Sequence, residues 1–443
     1  MELKELIEIV KQAGVAGAGG AGFPSYGKLD SRAKTIILNC AECEPLLRLH
    51  RQLLEVHAFE ILSTLEFMAR TIGAEKVIIG VKEAYTSTVE ALKAEMGSFS
   101  MISLGLLPEI YPAGDEVVLI HETTGKVVPP GSIPIEVGVA VFNVETVYNI
   151  YQALNHQIPV TKKYITITGE VSQPCTRVVP IGMKVEEVIK LAGQVTAKKP
   201  VYIMGGPMTG SIVSAHEVIT KTSNAILVLE DNHPVVMKKK GNSQINLKRA
   251  MASCCQCQMC TDLCPRYLLG HPIEPHEFMR AATSGTTQDL KPFLDTMFCV
   301  SCGLCEMYAC MQGLSPRSLI QDYKMGLRAN GVPVPKGVEA APVRRETPYR
   351  KVPLKRLQSR LGLDKYDSPA LLDEQEVTTK LVKIKLSQHI GAPAASLVKV
   401  GDKVKAGQMI GQAKENALSL PVHASIDGVV TDVNEKAVTI KAR

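Results

Sequence analysis

Eight of the chain's twelve cysteines fall into two runs whose spacing could hold iron–sulfur chemistry. The first reads Cys254-x2-Cys257-x2-Cys260-x3-Cys264-Pro265. The second reads Cys299-x2-Cys302-x2-Cys305-x4-Cys310, with Met311 where a proline would follow. A C-x2-C-x2-C loop wraps three thiolates round one face of a cubane cluster and sends a fourth cysteine, ahead of a proline, to a second cluster. By that rule Cys254, Cys257, Cys260 and Cys310 are expected to ligate one [4Fe–4S] cluster. Cys299, Cys302, Cys305 and Cys264 are expected to ligate the other. A zinc ribbon needs only two C-x2-C pairs round a tetrahedral ion, which leaves two triplets unexplained. A disulfide framework suits a small secreted chain, not one of 443 residues. Cys255 lies off the spacing and reads as a spectator thiol.

A second set of residues could hold a nucleotide. The stretch Gly14-Val15-Ala16-Gly17-Ala18-Gly19-Gly20-Ala21-Gly22-Phe23-Pro24 has five glycines in nine residues. Its bare backbone lets N–H groups approach a phosphate or a flat ring. Leu3, Leu6, Ile7 and Val10 precede it at helical spacing, so it is not the strand-led dinucleotide fingerprint. Lys28 could meet a phosphate; alone it reads equally as a surface lysine. Asn39-Cys40-Ala41-Glu42-Cys43-Glu44-Pro45 follows a predicted strand over residues 35–38, and Asn143-Val144-Glu145-Thr146 follows one over 137–142. Strand ends are where α/β sheets bind ligands. Glu42 and Glu44 are therefore candidates to accept hydrogen bonds from a ribose or a flavin ring. Cys40 and Cys43 form a C-x2-C without a second pair nearby, too little for zinc or a third cluster.

The elements that must position these groups are legible in outline. A second buried strand at 77–80 and a helix through Glu90 and Leu92 give the alternation of an α/β layer. Residues 164–171 alternate like a half-buried strand, with a helix over 185–192, strands at 201–204 and 225–229, and a tight turn at 205–210. Between the cysteine runs, 275–294 reads as helical with a polar loop at 284–287. Beyond Pro316 the chain turns basic and proline-punctuated, as a surface linker does. Hydrophobic residues make up 45% and charged residues 21%, an ordinary globular composition. The net charge is +6, densest at Lys238-Lys239-Lys240 with Lys248 and Arg249. That stretch reads as a solvated linker or a dock for an acidic redox partner. Nucleic acid is not an expected partner, because there is no Trp, few aromatics and no reading motif.

The glycine stretch from Gly17 to Pro24, Asn39-x2-Glu42-x-Glu44-Pro45, Gly114-Asp115-Glu116 and Asn143-Val144-Glu145-Thr146 resemble the flavin- and NADH-binding motifs of the complex I flavoprotein subunit. They resemble those of RnfC-like proteins more closely. A twin-cluster segment followed by a small β domain, with x4 before Cys310, resembles the PduS cobalamin reductase family of propanediol utilisation. The RnfC proteins carry that small domain at the N-terminus. The resemblance covers nearly the whole chain. It implies FMN near Gly17, Gly19, Lys28, Asn39, Glu42, Gly114 and Asn143. It implies NADH near Gly20 and Phe23, with Glu44 and Glu116 close to its ribose or nicotinamide and Asp115 in the same loop. Ala18 stands where the complex I flavoprotein has a basic residue, and Cys40 where close relatives have glycine.

The fold class so implied is multidomain α/β and α+β. An FMN/NADH-binding domain spans 1–158, an SLBB β-grasp domain 159–240 and a two-[4Fe–4S] ferredoxin-type domain 241–330. A linker spans 331–376, and an RnfC-like barrel-sandwich hybrid domain 377–443. Carrier domains of that last fold need a lysine at the hairpin tip. Residues 417–423 hold none, so packing or docking is the expected role, with His423 a hydrogen-bonded loop histidine. The implied function is NADH-dependent electron transfer through FMN and two [4Fe–4S] clusters to a low-potential acceptor, as in cobalamin reductases. The alternative is a non-catalytic electron-transfer component handing electrons to a protein partner, as in an Rnf-type complex or a proline reductase system. Partners are then NADH and either cobalamin, a corrinoid enzyme or another redox protein. The cytoplasm is the expected location: no apolar run approaches the roughly 18 residues of a membrane span. The first eleven residues carry Glu2, Glu5 and Glu8, not a basic leader. The resemblance adds association with a bacterial microcompartment or a membrane complex.

Overall fold

The structure, a computed structural model, describes residues 1–285 and 288–443. Thr286 and Thr287, within the expected polar loop at 284–287, lie outside the described residues. The first unit is a parallel sheet of β1 (Thr35–Cys40), β2 (Lys76–Lys82), β3 (Ile102–Leu107) and β5 (Val139–Asn143), in the order β3-β2-β1-β5. The short β4 (Ile110–Tyr111) lies outside it. Side chains alternate across the pleat, and here both faces are covered. Ile36, Leu38, Val77 and Ile79 pack under the helices Leu49–Val56, Ala58–Ile72 and Val144–His156. Ile37, Ile78 and Val141 pack under the helix Glu116–Thr124 on the other side. That double burial is why these strands read as continuous β-branched runs.

The second unit is a six-stranded sheet, of which five strands come from residues 162–230: β6 (Lys162–Gly169), β7 (Cys175–Pro180), β8 (Pro200–Met204), β9 (Ser211–Val213) and β10 (Ala225–Glu230). The buried pair Lys163–Glu145 bolts β6 to the helix Val144–His156 of the first unit. Three helices, Ser243–Ser253, Pro275–Thr283 and Pro316–Ala329, then pack round Phe278, Met279, Leu319 and Ile320 and carry the cysteine loops.

Residues 331–376 are more than a linker. β11 (Val352–Pro353) pairs with β4, and the helix Leu354–Arg360 buries Leu354 and Leu357 against both earlier units. β12 (Leu372–Asp373) adds a parallel edge to the second sheet beside β7. The C-terminal unit is two small sheets. One holds β13 (Leu381–Lys385), β15 (Lys403–Val404), β18 (Gly428–Val433) and β19 (Ala437–Ala442). The other holds β14 (Ala395–Ser396), β16 (Met409–Gln412) and β17 (Val422–His423). Both close over Val382, Ile384, Ile410 and Val430.

Two lysines of the basic stretch are structural, while Lys240, Lys248 and Arg249 stay exposed. Lys238 and Lys239 end the helix Pro234–Lys239, and burial pushes both ammonium groups below their usual range, Lys239 to about 8. Lys238 donates to the carbonyls of Gly313 and Leu314, and Lys239 to those of Met208 and Gly210. They tie the second sheet to the cysteine segment. Among the described residues no helix is long and apolar enough to cross a membrane.

Candidate cofactor sites

In the first sheet the chain runs from β1 outward through β2 to β3, then returns to place β5 on the other side of β1. The crevice outside the carboxyl ends of β1 and β5 is thus the topological switch point, where open α/β sheets bind ligands. Asn39, next to last in β1, and Asn143, last in β5, are register partners there. A cavity of about 480 Å³ opens at this point, within the ~300–1,000 Å³ of ordinary ligand sites.

The glycine stretch is pinched at its neck by an Ala16–Pro24 bridge and by Gly17 N–H donating to Phe23 O at 2.9 Å. Its tip, Gly19 to Ala21, stays exposed. A side chain at position 19 would put its Cβ 2.3 Å from Asn143 Nδ2, whereas at position 20 it would meet nothing within 4 Å. The Ala18 amide donates to Thr146 Oγ1 at 2.9 Å, seating the loop on the first turn of the helix Val144–His156. Asn143 caps that helix by accepting from the Glu145 amide at 3.0 Å. Asp115 likewise caps the helix Glu116–Thr124. Two helix N-termini therefore meet at the cavity, a natural place for an anion. Lys28 Nζ stands in its wall, held by Glu116 Oε1 at 3.1 Å and Val141 O at 2.9 Å. Asn39 Nδ2 fixes the opposite loop by donating to Gly114 O at 2.9 Å.

Of the residues singled out in the sequence, the loop members Gly17, Gly19, Gly20 and Phe23 line this cavity. So do Lys28, Asn39, Gly114, Glu116 and Asn143. Three do not reach its wall. The Glu42 carboxylate is buried and accepts from the His50 and Arg51 amides, opening the helix Leu49–Val56. Glu44 points away, accepting from the Met208 and Thr209 amides at 2.8 Å each and from the Thr209 hydroxyl. Asp115 spends its second oxygen on Arg266, 2.9 Å away. Sequence reasoning missed the apolar wall, Ile133 to Ile135 with Val139 to Phe142, and Ile390 from the C-terminal unit. Thr146 was signalled by its neighbours in the Asn143 motif; nothing nearby signalled Ile390.

The eight cysteines form two groups. Cys254, Cys257, Cys260 and Cys310 line one hollow; Cys264, Cys299, Cys302 and Cys305 line another. All are free thiols. Burial and the neighbouring Cys310, Cys254 and Cys257 thiols push Cys260 up to about 12, and burial pushes Cys264 up to about 11. A cationic centre between them would favour the thiolate forms of Cys260 and Cys264. Each hollow gathers three cysteines of one run and the last cysteine of the other, the ligand set of a [4Fe–4S] cluster. Cys40 and Cys43 pack into different cores and share no ring. Cys175 donates to Leu191 O.

These observations agree with what the chain is similar to. The Nuo51 FMN-binding domain matches residues 10–152, the SLBB domain 164–211, the 4Fe-4S dicluster domain 253–315 and the RnfC barrel sandwich hybrid domain 368–443. The cobalamin reductase PduS of Salmonella typhimurium is 40% identical over 437 residues, covering 98% of this chain and 96% of the relative. The chain belongs to the PduS cobalamin reductase family. A second PduS, from Citrobacter freundii, is 39% identical over 98% of this chain and 95% of its own length. One component of the ion-translocating oxidoreductase complex of Erwinia tasmaniensis is 32% identical over 61% of this chain and 33% of that component. The fold is shared with an NAD+-reducing [NiFe]-hydrogenase chain, at TM-score 0.51 and 19% identity over 83% of this chain and 68% of that one. The PduS-family chain is accordingly an oxidoreductase that transfers electrons with FMN and two [4Fe–4S] clusters. The cavity at the switch point, with its bare glycine cradle, apolar wall and caged lysine, fits a flavin nucleotide. The two thiol rings fit the clusters.

Proposed function

We propose that this protein oxidises NADH and passes the electrons to cobalamin, reducing cob(III)alamin or cob(II)alamin. One observation carries the proposal: the flavin cavity is joined to one thiol ring by short polar contacts. The loop that lines the cavity at Gly114 and Glu116 carries Asp115, paired with Arg266, and Arg266 lines the ring of Cys264, Cys299, Cys302 and Cys305. Tyr111, four residues before Asp115, donates to Cys302 O. FMN bound there would supply the conversion of the electron pair of NADH into the single electrons that clusters accept.

The chain's own residues then take definite roles. Lys28 and the N-terminus of the helix Val144–His156 would hold the flavin phosphate. Asn39, Gly114 and Asn143 hydrogen-bond the flavin, and Gly17 and Gly19 give it room. Gly20, Phe23 and Glu116 face the arriving NADH. Cys264, Cys299, Cys302 and Cys305 ligate the inner cluster, where the Arg266 guanidinium stabilises added negative charge. Cys254, Cys257, Cys260 and Cys310 ligate the outer cluster, beside the exposed Cys255 and Cys257. Cobalamin as acceptor is supported by the two PduS relatives. The reaction takes place in the cytoplasm or inside a microcompartment.

A second reading, electrons passed to a redox protein, is favoured by the exposed Met311 lining the outer ring and by the exposed Met251 just before it. Oxygen-free protein mixed with NADH and hydroxocobalamin separates the two. Bleaching of the flavin together with the corrinoid spectral change is expected. Bleaching without any cobalt reduction supports the second reading, and protein that binds no flavin sinks both.

A further inference from the structure

The C-terminal unit lacks the lysine of a carrier domain, yet two of its loops turn directly onto the glycine stretch. In the first, Ile390 N–H donates to Gly22 O at 3.2 Å, and the next residue, Gly391, adopts φ +120° against Leu418 O. The Ile390 carbonyl faces His389 Nδ1 at 3.0 Å, while His389 Nε2 accepts from the Leu420 amide at 3.2 Å. In the second loop the Ser419 amide donates to Tyr26 Oη at 3.4 Å. Behind both, Lys221 from the second unit donates to Gly14 O at 2.7 Å and to Pro421 O at 3.1 Å. The backbone of Ile390 is thus held by Gly22 on one side and, through His389, by Leu420 on the other. Its side chain nevertheless remains 48% exposed, at the rim of the 480 Å³ cavity. An isoleucine held this firmly and left half bare is a contact made in advance for something that arrives.

The inner walls at Asn39 and Gly114 belong to the flavin, so the group that reaches the rim comes second. We propose that the barrel-sandwich domain is part of the nucleotide site, presenting Ile390 as a preformed apolar contact for a flat ring of the nicotinamide dinucleotide. The inference rests on the proposed function above, because it takes NADH to be the arriving substrate.

The test uses full-length, flavin-loaded, oxygen-free protein, with ferricyanide as a one-electron acceptor. Bleaching of the wild-type flavin by NADH is measured first; its absence overturns both the functional reading and this one before any variant is made. Ile390→Ala, Ile390→Asp and Ile390→Leu follow. Because the side chain is half exposed, truncating it leaves the fold intact, and flavin content per chain checks this directly. Ile390→Ala is expected to keep its flavin and raise KM for NADH about fivefold, equivalent to about 1 kcal/mol at ~1.4 kcal/mol per tenfold. Its kcat should stay close to wild type. Ile390→Asp should raise KM further, by bringing a carboxylate to the dinucleotide phosphates, and Ile390→Leu should restore most of the affinity. Unchanged KM in Ile390→Ala and Ile390→Asp with full flavin overturns the proposal. So does a KM change that only tracks flavin loss, which would make Ile390 a structural residue.

Discussion

Glu44 offers the sharpest test of the distinction between a ligand-binding carboxylate and an architectural one. It receives two amide hydrogens and a hydroxyl from the turn at Met208 and Thr209. Hydrogen bonds to a charged acceptor contribute about 1.5–3 kcal/mol each, and Thr209 is exposed, so water replaces part of the loss. Removing the carboxylate in Glu44→Ala should therefore destabilise the turn by about 3 kcal/mol, a fall of roughly a hundredfold in amide protection. Gly206 supplies an independent handle. A Cβ there would lie 2.2 Å from Glu44 Oε2 and 2.4 Å from its Cδ, so Gly206→Ala must expel the same carboxylate. Each single substitution should unprotect the Met208 and Thr209 amides to a similar degree. The double variant should be little worse than Glu44→Ala, a coupling of about 2–3 kcal/mol. Hydrogen exchange read by mass spectrometry on peptides spanning 204–212 measures this without assuming two-state unfolding of a multidomain chain. Additive losses, or a KM for NADH that rises while the turn stays protected, would refute the architectural role and restore Glu44 to the nucleotide.

Three further outcomes are expected. Gly19→Ala should lose flavin, since its Cβ would sit 2.3 Å from Asn143 Nδ2, while Gly20→Ala, with open space, should keep more; flavin per chain decides. Cys257→Ala should lower iron from about eight to about four per chain, and unchanged iron would contradict its place in the outer ring. Lys221 is pushed down to about 7 by burial with only carbonyl partners. Its ordinary value is near 10.5, so below pH 7 it is charged in both states and the full burial penalty applies. Between pH 7 and 10.5 the unfolded chain holds the extra proton and folding strengthens as pH rises. Lys221→Met should remove that rising segment from a plot of Tm against pH, and an identical slope in both proteins would show that the ammonium is not buried.

What could be read from the sequence was what chemistry forces into fixed spacing or a simple period. The cysteine runs gave the ring memberships, and β1, β2 and β5 were visible because strands buried on both faces are continuous β-branched runs. β3 was not, because Gly105 interrupts it. That glycine is needed where a Cβ would meet Ile78 and Thr123 at 2.9 Å. The acidic side chains were harder. A glutamate beside a glycine loop has the same letters whether it faces a ribose, opens a helix as Glu42 does, or grips a distant turn as Glu44 does. The structural part of Lys238 and Lys239 was hidden for a similar reason, since sequence shows charge but not the carbonyls of Gly313 and Met208 that meet them. Ile390 was beyond reach, because its neighbours in the cavity lie more than 240 positions earlier.

The strap at 331–376 has a consequence for how the molecule comes together. It touches β4 beside the flavin loop, then the core shared by the second sheet and the cysteine segment, and last the edge of β7. Synthesis proceeds from the N-terminus, so every cysteine has left the ribosome before this latch exists. Its last contact, at residue 373, forms after all the others. The contacts of this strap with the cysteine segment, at Gly270 and Leu268, therefore form only once every ligating cysteine has been made.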